Sequence, residues 1–256
     1  MLKHVLTHPL ARNMDLDDPR ATMFRRQMLR EKNFLRKVYE EWYGCIKAAL
    51  PQQSGPVLEL GAGAGFLGDH IPDLITSDLM NLPELSLVMD AHFIPFKDET
   101  LRAIVMIDVL HHLPRPRLFF NEAGRCLKVG GAVIMIEPWV TSWSRLIYGR
   151  LHHEPFQPRA QQWEFPSSGP LSGANGALPW IVFQRDLALF RKEFPNWQVK
   201  SIKPGMPVAY LLSGGMSLRS LAPGGLFGLV RRLEKFLDPW MDHLGMFSRI
   251  VLEKLA

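Results

Sequence analysis

Three acidic residues, Glu59, Asp78 and Asp90, each sit in or just after a short apolar run, and the first run leads directly into Gly61-Ala62-Gly63-Ala64-Gly65. Glycines after a strand let backbone close on a ligand at the strand's carboxyl end, as in nucleotide-binding α/β folds. The spacing departs from a dinucleotide fingerprint, because the third glycine position is occupied by Phe66. A pyrophosphate-binding turn is therefore disfavoured. Glu59, two residues before Gly61, puts negative charge where phosphates would be repelled and an ammonium group welcomed. Asp78 closes the second run, where a carboxylate accepts both hydroxyls of a ribose. Asp90-Ala91 ends the third, where a carboxylate or the backbone after it accepts from an exocyclic amine. Each acid singly reads as an exposed strand-end residue; three beside one glycine loop read as a ligand site.

His111 and His112 end a fourth apolar run, and imidazole is the side chain most readily poised for proton transfer near neutrality. The alternative for both is a packed or helix-capping histidine. His152-His153-Glu154 lies in a segment rich in aromatic residues and has the chemistry to bind an acceptor or take a proton, His153 foremost. Together with the upstream pair its spacing matches no familiar metal-ligand pattern, so no metal site is expected.

The elements that must hold these residues follow from periodicity. Runs at residues 57–60, 74–77, 86–88, 103–107 and 132–136 are strand-sized, and residues 114–127 carry Leu118, Phe119, Ala123 and Leu127 on one helical face. Alternating strands and helices imply a parallel, doubly wound sheet. Residues 20–37 read as an amphipathic, basic helix broken near Asn33, most simply a solvated face. Phe183, Leu187, Phe190 and Phe194 mark a further helix, residues 197–202 a half-buried strand, 226–237 a helix and 247–252 a last strand. Residues 139–180 show no clear period and read as an inserted cap. Its aromatics, including Trp139, Trp143, Tyr148, Trp163 and Trp180, would form an acceptor pocket or a small core of their own. The division is one domain over residues 1–256: a helical segment at 1–50, a ligand-binding core at 55–138, the cap at 139–180 and completion of the sheet at 181–256.

Composition narrows the class. With 256 residues, 47% of them hydrophobic, the chain can bury a large core and is not disordered. Two cysteines are too few for a disulfide framework or a cysteine-rich zinc site, which points to a reducing setting, and cytoplasmic residence is the default expectation. No apolar run reaches the length of a membrane span. The broken apolar stretch at residues 206–226 leaves room for peripheral contact with a lipid interface. A formal charge of +5 permits an anionic partner but gives no strong nucleic-acid signal.

With these motifs in place, the sequence resembles the class I S-adenosylmethionine-dependent methyltransferases, especially their small-molecule, type 11 branch. Residues 57–65 look like the family's first motif, Asp78 its ribose acid, Asp90-Ala91 its adenine-side motif and Ile94-Pro95-Phe96-Lys97-Asp98 the usual continuation. Val109-Leu110-His111-His112-Leu113 and residues 121–131 match later landmarks. The resemblance is close over residues 57–138 and general beyond. It departs at Ala103, where an acid commonly opens the fourth strand. It implies a Rossmann-like methyltransferase fold: a seven-stranded, mostly parallel sheet of order 3-2-1-4-5-7-6. It also implies S-adenosylmethionine as cofactor, with S-adenosylhomocysteine as product. Glu59 would serve the ammonium end, Gly61, Ala62, Gly63 and Gly65 would line the methionine moiety, and Asp78 and Leu79 would meet the ribose. Asp90 and Ala91 would flank adenine, while Ile107 and Asp108 would lie beneath the methyl group.

The expected activity is methyl transfer by in-line displacement to a small organic or lipid-like acceptor, in which alignment carries most of the catalytic burden. His111, His112 and His153 are the candidates for moving a proton. Competing readings are a catalytically silent cofactor-binding module and an RNA or protein methyltransferase using the basic face. The oligomeric state, the acceptor and the methylated atom are not encoded in any motif.

Overall fold

The computed structural model describes residues 17–151, 154–167, 169, 171, 173–216 and 218–256. Among the described residues seven strands form one sheet: β1 (Val57–Leu60), β2 (Leu74–Asp78), β3 (Leu87–Val88), β4 (Leu101–Ile107), β5 (Leu127–Pro138), β6 (Trp197–Gly205) and β7 (Phe247–Lys254). Their order is β3-β2-β1-β4-β5-β7-β6. The first five run parallel, and β7 enters antiparallel between β5 and β6. This is the doubly wound Rossmann-like sheet expected from the sequence.

Strand alternation splits the core in two. Leu58, Leu60, Ile104, Met106, Val133 and Met135 pack with Phe119, Phe120, Phe183 and Phe190 on one face. Val57, Ala103, Val105, Ala132, Ile134 and Ile136 meet Phe34, Leu35, Val38, Trp42 and Ile46 on the other. Both faces are covered, so each central strand reads as a continuous apolar run rather than an alternating one.

The helices used below are α1 (Pro19–Glu31), α2 (Asn33–Ala49), α3 (Pro116–Cys126), α4 (Ser142–Leu151), α5 (Leu187–Glu193), α6 (Ala209–Ser213) and α7 (Phe227–Phe236). The break expected near Asn33 falls at Lys32, whose ammonium donates to the Gly215 and Leu218 carbonyls. That desolvated position pulls the Lys32 pKa down to about 8. Lys37 donates to the Gly224 carbonyl and Arg26 pairs with Glu84 at 3.0 Å. Much of the basic face read as solvated therefore clamps loops of its own chain.

The segment at residues 139–180 is more regular than its sequence suggested. Thr141 and Ser144 form a reciprocal cap: the Thr141 N–H donates to Ser144 Oγ at 2.8 Å and the Ser144 N–H to Thr141 Oγ1 at 3.0 Å. This starts α4 and turns two buried hydroxyls inward, which erases the apolar period that marks a helix. Of the two roles open to the aromatics here, core packing takes Trp139, Tyr148 and Trp163, all buried. Trp163 donates its indole N–H to Asp186 at 2.9 Å and lies under the Arg117 guanidinium.

The apolar stretch at 206–226, read as leaving room for lipid contact, divides in two. Tyr210 of α6 stacks on Trp42 and touches Phe247, inside the molecule. Leu221 and Leu226 are exposed, and the exposed apolar surface continues through α7.

Candidate active site

β1 delivers Glu59 to the floor of the glycine loop. The loop is held by Ala62 N–H donating to the Ser77 carbonyl at 2.9 Å and Ser77 Oγ donating to the Glu59 carbonyl at 2.7 Å, which ties the ends of β1 and β2 together. Gly61 has φ +64°, and a Cβ there would lie 2.5 Å from Val109 Cγ2. Only glycine fits that turn, and its lack of a side chain leaves loop backbone bare toward the cleft.

Glu59 is buried, and desolvation, with the Asp78 charge behind it, lifts its carboxyl to about 8. No cation among the described residues offsets it. A buried acid so placed fits a ligand that brings its own positive charge. Asp78, at the end of β2, accepts from the Met80 N–H at 2.9 Å and the Gly63 N–H at 3.1 Å. Burial raises its pKa, while backbone hydrogen bonds from Met80, Gly63 and Leu79 restrain the rise.

Beyond β3, Asp90 Oδ1 accepts from the His92 N–H at 2.9 Å and lies 2.5 Å from His92 Nδ1. Ala91 is buried beside it and Leu79 is exposed at the mouth. Glu59, Gly61, Ala62, Gly63, Gly65, Asp78, Leu79, Asp90 and Ala91 thus belong to the carboxyl ends of β1, β2 and β3 and the loops that leave them.

The end of β4 carries a second constellation. Ile107 is the last strand residue, and Asp108 follows with φ +63°, its N–H donating to the Ile136 carbonyl at 2.8 Å. Although 39% of its side chain is accessible, Asp108 sits deep in the cleft, and desolvation is the main cause that lifts its carboxyl to about 7. Glu137, fully buried at the end of β5, accepts from Val109 N–H at 2.9 Å and Leu110 N–H at 2.7 Å through one oxygen and bonds His111 Nδ1 at 2.8 Å through the other. His111 Nε2 lies 3.5 Å from Glu154 and 3.9 Å from Asp108. Burial opposes charge on His111, yet the Glu137, Glu154 and Asp108 carboxylates outweigh it and hold its pKa well above the ordinary value. His112 goes the other way: burial, aided by the His111 charge, lowers it to about 4. Its Nδ1 contacts the Gly173 carbonyl at 3.1 Å, which leaves Nε2, 3.8 Å from Glu154, as the acceptor nitrogen.

The donor atoms of His111, His112 and Glu154 come within 4.8 Å of one another, close enough to share a cation. A proton on His111 Nε2 meets the same electrostatic demand. Along the sequence Glu154 lies about forty positions after the adjacent His111 and His112; the fold brings it to them. His153 lies outside the described residues.

Several contributors were invisible to spacing. Glu137 is one, although an acid ending an apolar strand is a signal that finds it. Arg25, on α1, is half-buried in the cleft, where burial lowers its pKa and Glu154, Asp108, Tyr39 and Asp17 hold it up. Tyr39, Tyr148 and Tyr210 lie within electrostatic reach of Asp108; burial first, then its charge, raises all three phenols. They come from α2, α4 and α6, elements remote in sequence.

Residues 58–135 match the type 11 family described as a methyltransferase domain. No curated protein matches the sequence. The fold is shared with geranyl diphosphate C-methyltransferase from Streptomyces coelicolor A3(2), at a TM-score of 0.52 and 13% identity over 86% of this chain and 81% of that one. A possible histamine N-methyltransferase from Thermotoga maritima aligns with a TM-score of 0.51 and 15% identity, over 86% of this chain and 90% of that one. A complex of the Haloferax volcanii Trm112 activator with a putative methyltransferase gives 0.51 and 13%, covering 95% of this chain and 100% of that one. Sheet order, glycine loop and strand-end acids define a class I methyltransferase fold. Together with the matched domain, they place a methyltransferase domain of the type 11 family at residues 58–135, inside a sheet of the methyltransferase order.

Proposed function

We propose that the chain transfers a methyl group to a small organic or lipid-like acceptor held at the carboxyl end of β4. The observation that carries this reading is the polar floor in which His111 Nε2 lies 3.5 Å from Glu154 and 3.9 Å from Asp108, with Tyr39, Tyr148, Tyr210 and the half-buried Arg25 of α1 within electrostatic reach of Asp108. When bound, S-adenosylmethionine supplies a methyl carbon on a positively charged sulfur, open to in-line displacement. Glu59 holds the ammonium end, Gly61, Ala62, Gly63 and Gly65 pass along the methionine portion, and Asp78 with Leu79 receives the ribose. Asp90 and Ala91 flank the adenine, and Ile107 and Asp108 lie at the methyl.

Asp108, titrating near 7, is matched to take a proton from a hydroxyl or phenol acceptor at neutral pH. His111, held protonated, is suited to donate a hydrogen bond. His112, neutral because of burial, is suited to accept one. These assignments move the base from the histidines to their acidic neighbour. A bound acceptor over the accessible Asp108 would exclude water and strengthen each of these contacts.

Two observations favour a small acceptor over a polymer. α1 covers the cleft, and Arg26, Lys32 and Lys37 of the basic stretch are committed to internal contacts. The lipid-like option is compatible with this fold, which the geranyl diphosphate C-methyltransferase shares.

The test is incubation with methyl-labelled S-adenosylmethionine and cell extracts divided into aqueous metabolite, lipid, RNA and protein fractions. Label in an aqueous metabolite or a lipid is expected, and Asp108→Asn should slow transfer by about 100-fold or more with cofactor affinity retained. Tight cofactor binding with label in no fraction would establish the silent module instead. Label in RNA or protein would overturn the small-acceptor reading.

A further inference from the structure

α7 presents two unlike faces. Phe227 packs edge-on against Phe34 at 5.4 Å, Val230 turns inward, and Glu234 is buried. Glu234 Oε1 accepts from the Val208 and Ala209 N–H groups at 2.7 Å each, and so caps the start of α6. Arg231 bonds both Glu234 and, at 2.6 Å, Glu41 of α2. These contacts fix the helix rigidly to the wall that carries Tyr210.

The opposite face is apolar and bare. Leu226, Leu229, Leu233, Phe236 and Trp240 recur at intervals of three, four, three and four residues, and their exposures run from 45% to 76%. Leu229, Leu233 and Phe236 lie along α7 itself, Leu226 ends the turn that leads into it and Trp240 ends the 3-10 turn that follows, so helical spacing carries the apolar run past both ends of the helix. Scattered exposed leucines need no explanation; a contiguous stripe of five large side chains does. Exposed Arg232 and Lys235 lie on the same helix, and with Arg231 they line an adjoining cleft of about 420 Å³. Glu41, which also lines it, is already committed to Arg231, and Asp238 stands at its rim.

We infer that α7 is an interfacial anchor that seats the protein on an anionic lipid surface. The stripe enters the boundary between headgroups and acyl chains, and Arg232 and Lys235 meet lipid phosphates. A bare apolar face flanked by cations is the pattern such helices share. Trp240 at the end of the stripe is suited to the interface itself, since its ring pairs an apolar body with a polar N–H. Among the described residues no helix is long and apolar enough to cross a membrane, and the contact inferred is one of surface seating. This inference stands on α7 and the turns at its two ends and does not depend on the identity of the acceptor.

The experiment is co-sedimentation of the full chain with vesicles of phosphatidylcholine alone and of phosphatidylcholine containing phosphatidylglycerol, with S-adenosylhomocysteine affinity as the check on folding. Binding to the anionic vesicles is expected, weakening with salt. Leu233→Glu with Phe236→Glu should reduce partitioning at least about tenfold. Arg232→Gln and Lys235→Gln should each reduce it about fivefold. All of these residues are exposed, so cofactor affinity should stay unchanged. Absence of binding to either vesicle overturns the inference. So does concentration-dependent dimerisation abolished by the same glutamate pair without vesicle binding, which would assign the stripe to a second copy of the chain. Methyl transfer plays no part in the readout, so a failed acceptor assignment and a failed anchor are told apart.

Discussion

His111 Nδ1 lies 2.8 Å from Glu137 Oε2, with both side chains out of contact with solvent, and Glu137's other oxygen receives the N–H groups of Val109 and Leu110. One carboxylate from β5 therefore shapes the turn after β4 and fixes the orientation of the imidazole it carries. Glu137→Ala would strand two buried backbone donors, at a cost of about 1–3 kcal/mol for each group left unsatisfied. Urea unfolding should show that loss. A variant of unchanged stability would mean that Glu137 does not organise the turn.

Glu59 makes cofactor binding pH-dependent. Its carboxyl titrates near 8 in the folded protein against 4.5 for an ordinary glutamate, so the folded state holds the proton more tightly than the unfolded one. Its contribution to stability is accordingly full below about pH 4.5 and lost as pH rises toward 8. An ammonium ligand favours the ionised form, so binding near pH 7 should release a proton and tighten up to about pH 8. Calorimetry in buffers of different ionisation heat measures that proton, and an uptake or a null would separate Glu59 from the ammonium.

Asp78→Ala should weaken S-adenosylhomocysteine binding by about 1–3 kcal/mol, the scale of a lost charge-assisted hydrogen bond. Because Asp78 also receives the Gly63 and Met80 N–H groups, the glycine loop should loosen with it. Unchanged affinity in a folded variant removes the ribose assignment.

Chelation should leave methyl transfer intact. His111 Nε2 faces Glu154 and Asp108 as a protonated donor, so the position between these acids already carries positive charge that a divalent ion would have to displace. Activity lost on dialysis against a chelator and restored by Zn²⁺ or Co²⁺ would instead make His111, His112 and Glu154 a metal centre.

Much of this protein is legible in its chain order, because some information is local. A strand buried on both faces must be apolar throughout, as residues 103–107 and 132–136 are. A turn with positive φ needs glycine at 61, and a ligand that touches strand ends needs acids there. Those rules locate β1, β2, β4 and β5 and the glycine loop, and the resemblance they support carries the sheet order with it. α4 escaped because its capping hydroxyls, Thr141 and Ser144, point inward and break the apolar period. α7 was readable as a helix, but nothing in its amphipathic pattern says whether the apolar stripe faces the core or the solvent.

The polar floor of the cleft belongs to the folded molecule alone. Arg25, Asp108, His111, Glu137 and Glu154 come from α1, the ends of β4 and β5 and the loop after α4, and no spacing rule relates them. Their charges are set jointly: burial raises Asp108 and lowers His112, while three carboxylates keep His111 protonated. Side-chain type establishes which groups can titrate. Where each titrates depends on the dielectric and the neighbours that folding supplies, since both terms vary with distance in space rather than with position along the chain.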